Sequence, residues 1–129
     1  MYRIDVDRQH TIIELVLDGL IRPDEMTRFV EELKAATLAL AGRDIFIKAD
    51  MRTFRPSAPQ VAEMLRDVQE FGIQNGVKRV AEMVESPLSA LQLNRVARES
   101  GTDKILRRFA DDQSAKRWLI YGDEEALSA

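Results

Sequence analysis

Tyr2, Ile4 and Val6 alternate with Arg3, Asp5 and Asp7 at the start of the chain. A period of two with one polar side predicts a strand with one wet face, suited to a sheet edge. Arg8-Gln9-His10 is short and polar and reads as a hairpin turn into a second strand, Ile12–Leu17. That strand is apolar on both faces except at Glu14, so it belongs deeper in the sheet, and Asp18-Gly19 closes it. The period then changes. Met26, Phe29, Val30, Leu33, Thr37 and Leu40 recur at three- and four-residue spacing behind Pro23, with Asp24 and Glu25 in the first turn. This predicts an amphipathic helix opened by proline at its first position and stopped at Gly42.

The same alternation continues to the end. Ile45–Ala49 predicts a third strand. Ser57-Ala58-Pro59-Gln60 has the form of a capping box, with Ser57 at the cap, before a helix striped by Val61, Met64, Leu65 and Val68 and ended by Asn75-Gly76. Val80–Val84 predicts a fourth strand. Ser86-Pro87 starts a third helix, with Leu88, Leu91, Leu93, Val96 and Ala97 available for packing, and Gly101 stops it. Lys104–Phe109 predicts a fifth strand, and Asp111 caps a last helix carrying Ala115, Trp118 and Leu119. The predicted order is β-β-α-β-α-β-α-β-α, a single α/β domain over residues 1–122 with a polar tail over 123–129. Strands alternating with helices imply right-handed crossovers. The sheet is therefore expected to be central, five-stranded and mostly parallel, with the first strand as an antiparallel edge.

Composition narrows the function more than it names one. The 129 residues suit one domain with one sizeable core. Basic and acidic residues, 19 and 22, are interspersed and leave a net charge of −3, without the basic stripe of a nucleic-acid surface. There is no cysteine, so thiolate chemistry, disulfides and cysteine metal sites are excluded. The start is not a signal peptide, and no apolar run reaches the roughly 20 residues that span a bilayer. A cytoplasmic protein without membrane insertion is the expectation.

No enzyme chemistry emerges. The six glycines and the lysines do not make a phosphate-binding loop. A serine triad needs a histidine base, and His10, the single histidine, falls in the first hairpin as a solvated turn residue. Adjacent carboxylates such as Asp24-Glu25 and Asp111-Asp112 do not face each other on a helix. Asp18, Asp50 and Glu85 are the one acidic set that the strand ends bring to the same edge as candidate metal ligands. No cofactor and no metal are expected.

Ligands and partners of an open α/β sheet meet the loops at the carboxyl ends of its strands. The loop from Asp50 to Ser57 is the candidate. Asp50 suits a loop cap that binds backbone N–H groups. Arg52 and Arg55 beside a helix N-terminus suit an acidic group. Met51 and Phe54 are the apolar members. Phe54 either tucks onto Val61 or Met64 as a staple or stands exposed as an interaction contact. The edge is expected to work through Met51, Arg52, Phe54 and Arg55, with Ser57 as a helix cap. A polar-faced edge strand and surplus apolar helix faces suggest a homodimer.

These features resemble the SpoIIAA-like branch of the STAS family, from Tyr2 to about Leu119. The segment FADDQSAKRWL, Phe109–Leu119, is similar to the family's F-x5-A-x2-W-L signature, and KRVAEMVESPLSALQLNRVARES is similar to its fourth strand and third helix. The resemblance implies a regulatory interaction module of the anti-sigma-factor-antagonist kind, whose partner kinase phosphorylates a serine in an Asp-Ser-Ser/Thr motif at the start of the second helix. This chain has Phe54-Arg55-Pro56-Ser57-Ala58-Pro59 there, with no Asp-Ser pair. The branch also resembles the lipid-binding CRAL-TRIO fold, which implies an alternative: binding of a small apolar or anionic ligand. The partner is therefore expected to be a regulatory protein or such a ligand.

Overall fold

The computed structural model describes residues 1–123. Its elements run β1 (Tyr2–Asp7), β2 (Ile12–Leu17), α1 (Pro23–Ala39), β3 (Ile45–Asp50), α2 (Pro59–Gln74), β4 (Val77–Met83), α3 (Pro87–Ser100), a 3-10 turn (Thr102–Lys104), β5 (Leu106–Arg108) and α4 (Asp112–Tyr121). The sheet has the order β1-β2-β3-β4-β5, with β1 antiparallel to β2 and all other neighbours parallel. This is the expected order and sheet.

The strand order dictates where the helices lie. Each crossover steps to the next strand in the same direction, and right-handed crossovers in one direction put their helices on one face. So α1, α2 and α3 share a face, over a core of Ile13, Leu15, Leu17, Ile45, Ile47 and Val80 from the sheet with Met26, Phe29, Val61, Leu65, Leu93 and Val96 from the helices. The chain after β5 has no further strand to reach, and α4 returns across the other face. There Ala115 and Leu119 meet Ile12 and Ala81, with Phe46, Phe109 and Trp118 at the border.

Several boundaries differ from the sequence pattern. β4 begins at Val77, three residues before the predicted Val80, because Gly76 at φ +108 turns the chain straight from helix to strand. In the added part of β4, the Arg79 guanidinium lies over the rings of Phe46 and Trp118 and donates to the Trp118 carbonyl at 3.2 Å. β5 shrinks to three residues because Thr102–Lys104 closes a 3-10 turn first. α1 ends at Ala39, before Gly42. On α3 the buried stripe is Ser89, Leu93, Val96 and Ala97. Leu88 and Leu91, expected to pack, lie off that stripe and are 68% and 66% exposed. Trp118 is only half-buried, edging on Phe109 at 5.5 Å between ring centroids. Asp123, assigned to the tail, pairs with Arg107 at 2.7 Å, and the rest of the predicted tail, 124–129, lies outside the described residues.

Candidate functional site

The carboxyl ends of the strands carry a loop held on every side. β3 delivers Asp50, whose Oδ1 accepts from the Arg52 amide at 3.2 Å and from Arg52 Nε at 3.0 Å, while Oδ2 accepts from Arg52 Nη2 at 2.8 Å. Asp50 therefore caps its own loop and clamps a bidentate guanidinium, the stronger kind of charged hydrogen bond. The Arg52 guanidinium holds the Asp50 carboxyl below its ordinary value against a smaller opposing effect of burial. Arg52 in turn is raised, first by Asp50.

Beyond Arg52 the backbone is stitched to three other elements. The Met51 amide donates to the Met83 carbonyl at 2.8 Å, Gly19 N–H to Thr53 C=O at 2.9 Å, and Arg55 N–H to Gly19 C=O at 3.1 Å. The Ser89 hydroxyl donates to the Phe54 carbonyl at 2.6 Å. Gln92 of α3 holds Ser57 at both backbone groups: Ser57 N–H donates to Gln92 Oε1 at 2.7 Å, and Gln92 Nε2 donates to Ser57 C=O at 2.8 Å.

Two expectations for this loop need correcting. Ser57 is not the cap of α2. Ala58 stands there with Pro59 at the first helical position, and no side chain caps the helix. Pro59 has no N–H to offer and sets the helix start one residue late for the box. Gln92 pulls the Ser57 backbone toward α3, and the Ser57 hydroxyl is buried without a hydrogen-bond partner among the described residues. Nor are Met51 and Phe54 exposed contacts. Both join the main core, Phe54 at 2% exposure in the same cluster as Val61, with Met64 packed against it. This is the staple alternative. The exposed members of the loop are Thr53, Arg55 and Pro56, and Arg55 makes no ion pair among the described residues.

Three exposed leucines lie next to residues that hold this loop. Leu20 follows Gly19, and Leu88 precedes Ser89, two of the residues that bind the loop's backbone; Leu91 lies one turn along α3. The sequence pattern missed this set because Leu88 and Leu91 read as core and nothing singled out Leu20. Gln92 and Ser89 were missed as well, since nothing in local spacing marks a side chain that reaches thirty-odd residues back.

Other charged groups lie on the two sheet faces. Toward α4, Lys48 bonds Asp112 at 3.0 Å and Glu14 at 3.3 Å. Burial pulls the Lys48 ammonium down, but the two carboxylates outweigh it and leave it raised. Toward α1–α3, Glu82 is 3% exposed and accepts from Arg108 Nε at 2.9 Å. Burial raises the Glu82 carboxyl and Arg108 only partly offsets it. Glu82 borders a cavity of about 70 Å3 whose walls are otherwise mainly apolar, among them Leu15, Phe29, Ile47 and Val68. His10 lies in the first turn as expected, partly exposed, and bonds Asp7 through Nδ1 at 2.8 Å, at the amino end of β2. Asp18, Asp50 and Glu85 do not form a metal-holding group, and among the described residues no cluster of three or more such side chains does. No helix among them is long and apolar enough to cross a membrane.

No family model matches the chain, and no curated protein matches it. Among solved structures it is similar to an uncharacterised protein of the DUF3478 family from Shewanella loihica PV-4, described as having a SpoIIAA-like fold. The TM-score is 0.70 at 16% identity, over 92% of this chain and 93% of that one. At that identity the likeness is one of fold, and the fold of this chain is SpoIIAA-like.

Proposed function

We propose that the protein is a non-enzymatic interaction module that binds a regulatory protein at the carboxyl edge of its sheet and lacks the serine switch of typical antagonists. One observation carries this: Leu20, Leu88 and Leu91 stand exposed beside residues that hold the loop of Arg55, which makes no ion pair among the described residues, and bonds to its neighbours hold that loop still. Exposed apolar side chains on a rigid support suit a protein partner. Supporting the absence of a switch, the Ser57 hydroxyl is buried and both its backbone groups are bound to Gln92. A kinase would have to peel this segment off α3 to reach it.

The alternative, a binding protein for a small apolar or anionic ligand, has less support. The apolar cavity holds about 70 Å3, against the roughly 300 Å3 of ordinary ligand pockets. The larger groove, about 360 Å3 between α2 and α3, is lined by Glu63, Arg66, Arg95 and Glu99 and opens to solvent.

The test is affinity capture from native cytoplasm with wild type, Leu88→Glu/Leu91→Glu, Ser57→Ala and Ser57→Asp, each checked for folding by circular dichroism. A protein retained by wild type and Ser57→Ala and lost by the leucine double variant is the expected result. A specific protein that the leucine variant keeps, and that folded Ser57→Asp loses, would reverse the assignment and make Ser57 a switch.

A further inference from the structure

β1 borders the sheet, and among the described residues no strand pairs with its outer edge. Two hydrogen bonds decide which backbone groups face outward. The Met1 ammonium donates to the Asp18 carbonyl at 2.9 Å, and the Asp18 amide donates to the Met1 carbonyl at 2.8 Å. Met1 and Asp18 are thus a mutually bonded pair of the antiparallel ladder. Such pairs recur at every second residue. In the observed register the next are Arg3 with Val16, Asp5 with Glu14 and Asp7 with Ile12. The N–H and C=O groups of Tyr2, Ile4 and Val6 therefore point away from β2.

Two devices that usually blunt such an edge are missing, and the charges of Arg3, Asp5 and Asp7 are the one present. β1 contains no proline, and its pairing with β2 runs without a bulge. Arg3 and Asp5 lie exposed on the face away from α1, 3.3 Å apart as an intrachain pair. On the other face Tyr2 meets Phe29 edge-on at 5.5 Å, and Val6 is 38% exposed.

We propose that this edge pairs with the same edge of a second copy, antiparallel about a two-fold axis at Ile4, joining two five-stranded sheets into one. The occupant follows from the self-complementarity of Tyr2-Arg3-Ile4-Asp5-Val6. Centred on Ile4, the outward-facing Tyr2, Ile4 and Val6 meet Val6, Ile4 and Tyr2 of the second copy, in about six backbone hydrogen bonds at two per bonded pair. On the opposite face Arg3 stands across from Asp5 of the second copy, and Asp5 across from its Arg3. Opposite charges directly across a ladder stabilise it and like charges destabilise it. Shifting the register by one bonded pair sets Arg3 against Arg3 in one direction; in the other it sets Asp5 against Asp5 but also Arg3 across from Asp7, and either shift leaves two bonded pairs within Tyr2–Val6 in place of three. Charge therefore rejects the first neighbour, and the lost bonded pair disfavours the second. Over Tyr2 stand Glu32, Arg28 and Glu25 of α1, and Glu25 pairs with the Met1 ammonium at 3.0 Å, so the four groups of this flank balance in sign. An interface one strand wide belongs at the small and weak end of the range.

Sedimentation equilibrium from about 10 μM to about 500 μM, where a weak interface titrates, reads the association directly. The wild-type mass is expected to climb from 14.7 kDa toward twice that value. Val6→Pro removes an outward N–H without touching the bonds to β2, and should weaken association at least tenfold. Arg3→Asp and Asp5→Arg, on exposed side chains that folding does not need, should each do the same, and the double swap should restore it. Circular dichroism melts establish that the variants are folded. A mass that stays at 14.7 kDa throughout, a dimer indifferent to Val6→Pro, or a charge swap that fails to recover association would each overturn the proposal. A strand from a different protein occupying the edge would appear as the first of these.

Discussion

Replacing Phe54 with alanine tests the loop assignment most directly. The ring is 2% exposed and belongs to the main core, while the Phe54 backbone is bound by Met51 and Ser89. Returning a buried phenylalanine side chain to water costs about 2–3 kcal/mol. The void left behind adds about 24 cal/mol for each Å3 that does not collapse. The loop around it is stitched to Gly19, Met83 and Gln92, which limits collapse. If about half of a ring-sized void of roughly 100 Å3 persists, the cavity adds about 1 kcal/mol, for a total of about 3–4 kcal/mol. Urea unfolding followed by circular dichroism measures this, provided the slope against urea is unchanged. Phe54→Leu, which keeps most of the volume, should cost about 1 kcal/mol. A loss under 1 kcal/mol for Phe54→Ala, with unchanged slope, would mean that Phe54 spends its time in solvent, and the exposed-contact alternative would return.

Three further outcomes follow from the same geometry. Ser57→Ala should change stability by less than about 0.5 kcal/mol, because the hydroxyl has no partner to lose; a cost of about 1 kcal/mol in urea melts would indicate a working cap. Trp118→Ala should cost about 2 kcal/mol, below the 3–5 of a fully buried ring, since Trp118 is half-buried against Phe109 and Arg79. A loss near 5 kcal/mol would show the ring more enclosed than this. Asp50 is depressed below 3.8 in the folded state, so its contribution is present above that value and lost as pH falls through the folded pKa. Thermal melts of wild type and Asp50→Asn should differ at neutral pH and converge on acidification below about pH 4; a gap that stays constant would refute the Arg52 clamp.

Element order, strand type and helix starts at Pro23 and Pro87 were legible in the sequence, because period and proline act locally. So was Asp50 as a loop cap, which acts two residues away. The errors at the site came mostly from partners distant along the chain. Ser57 and Gln60 satisfied the local rule for a capping box, but Pro59 and Gln92 decided where α2 starts and what holds Ser57. Leu88 and Leu91 had the right polarity for a core and the wrong angle, since the buried face of α3 runs through Ser89, Leu93, Val96 and Ala97. Glu82 gave no sign that Arg108 would be its neighbour until β5 paired with β4. Periodicity is a property of consecutive residues, so the chain alone determined which elements form and in what order. Which apolar faces find cover depends on contacts between residues tens of positions apart, and only the packed structure decided that Phe54 goes inside and that Leu20, Leu88 and Leu91 remain outside.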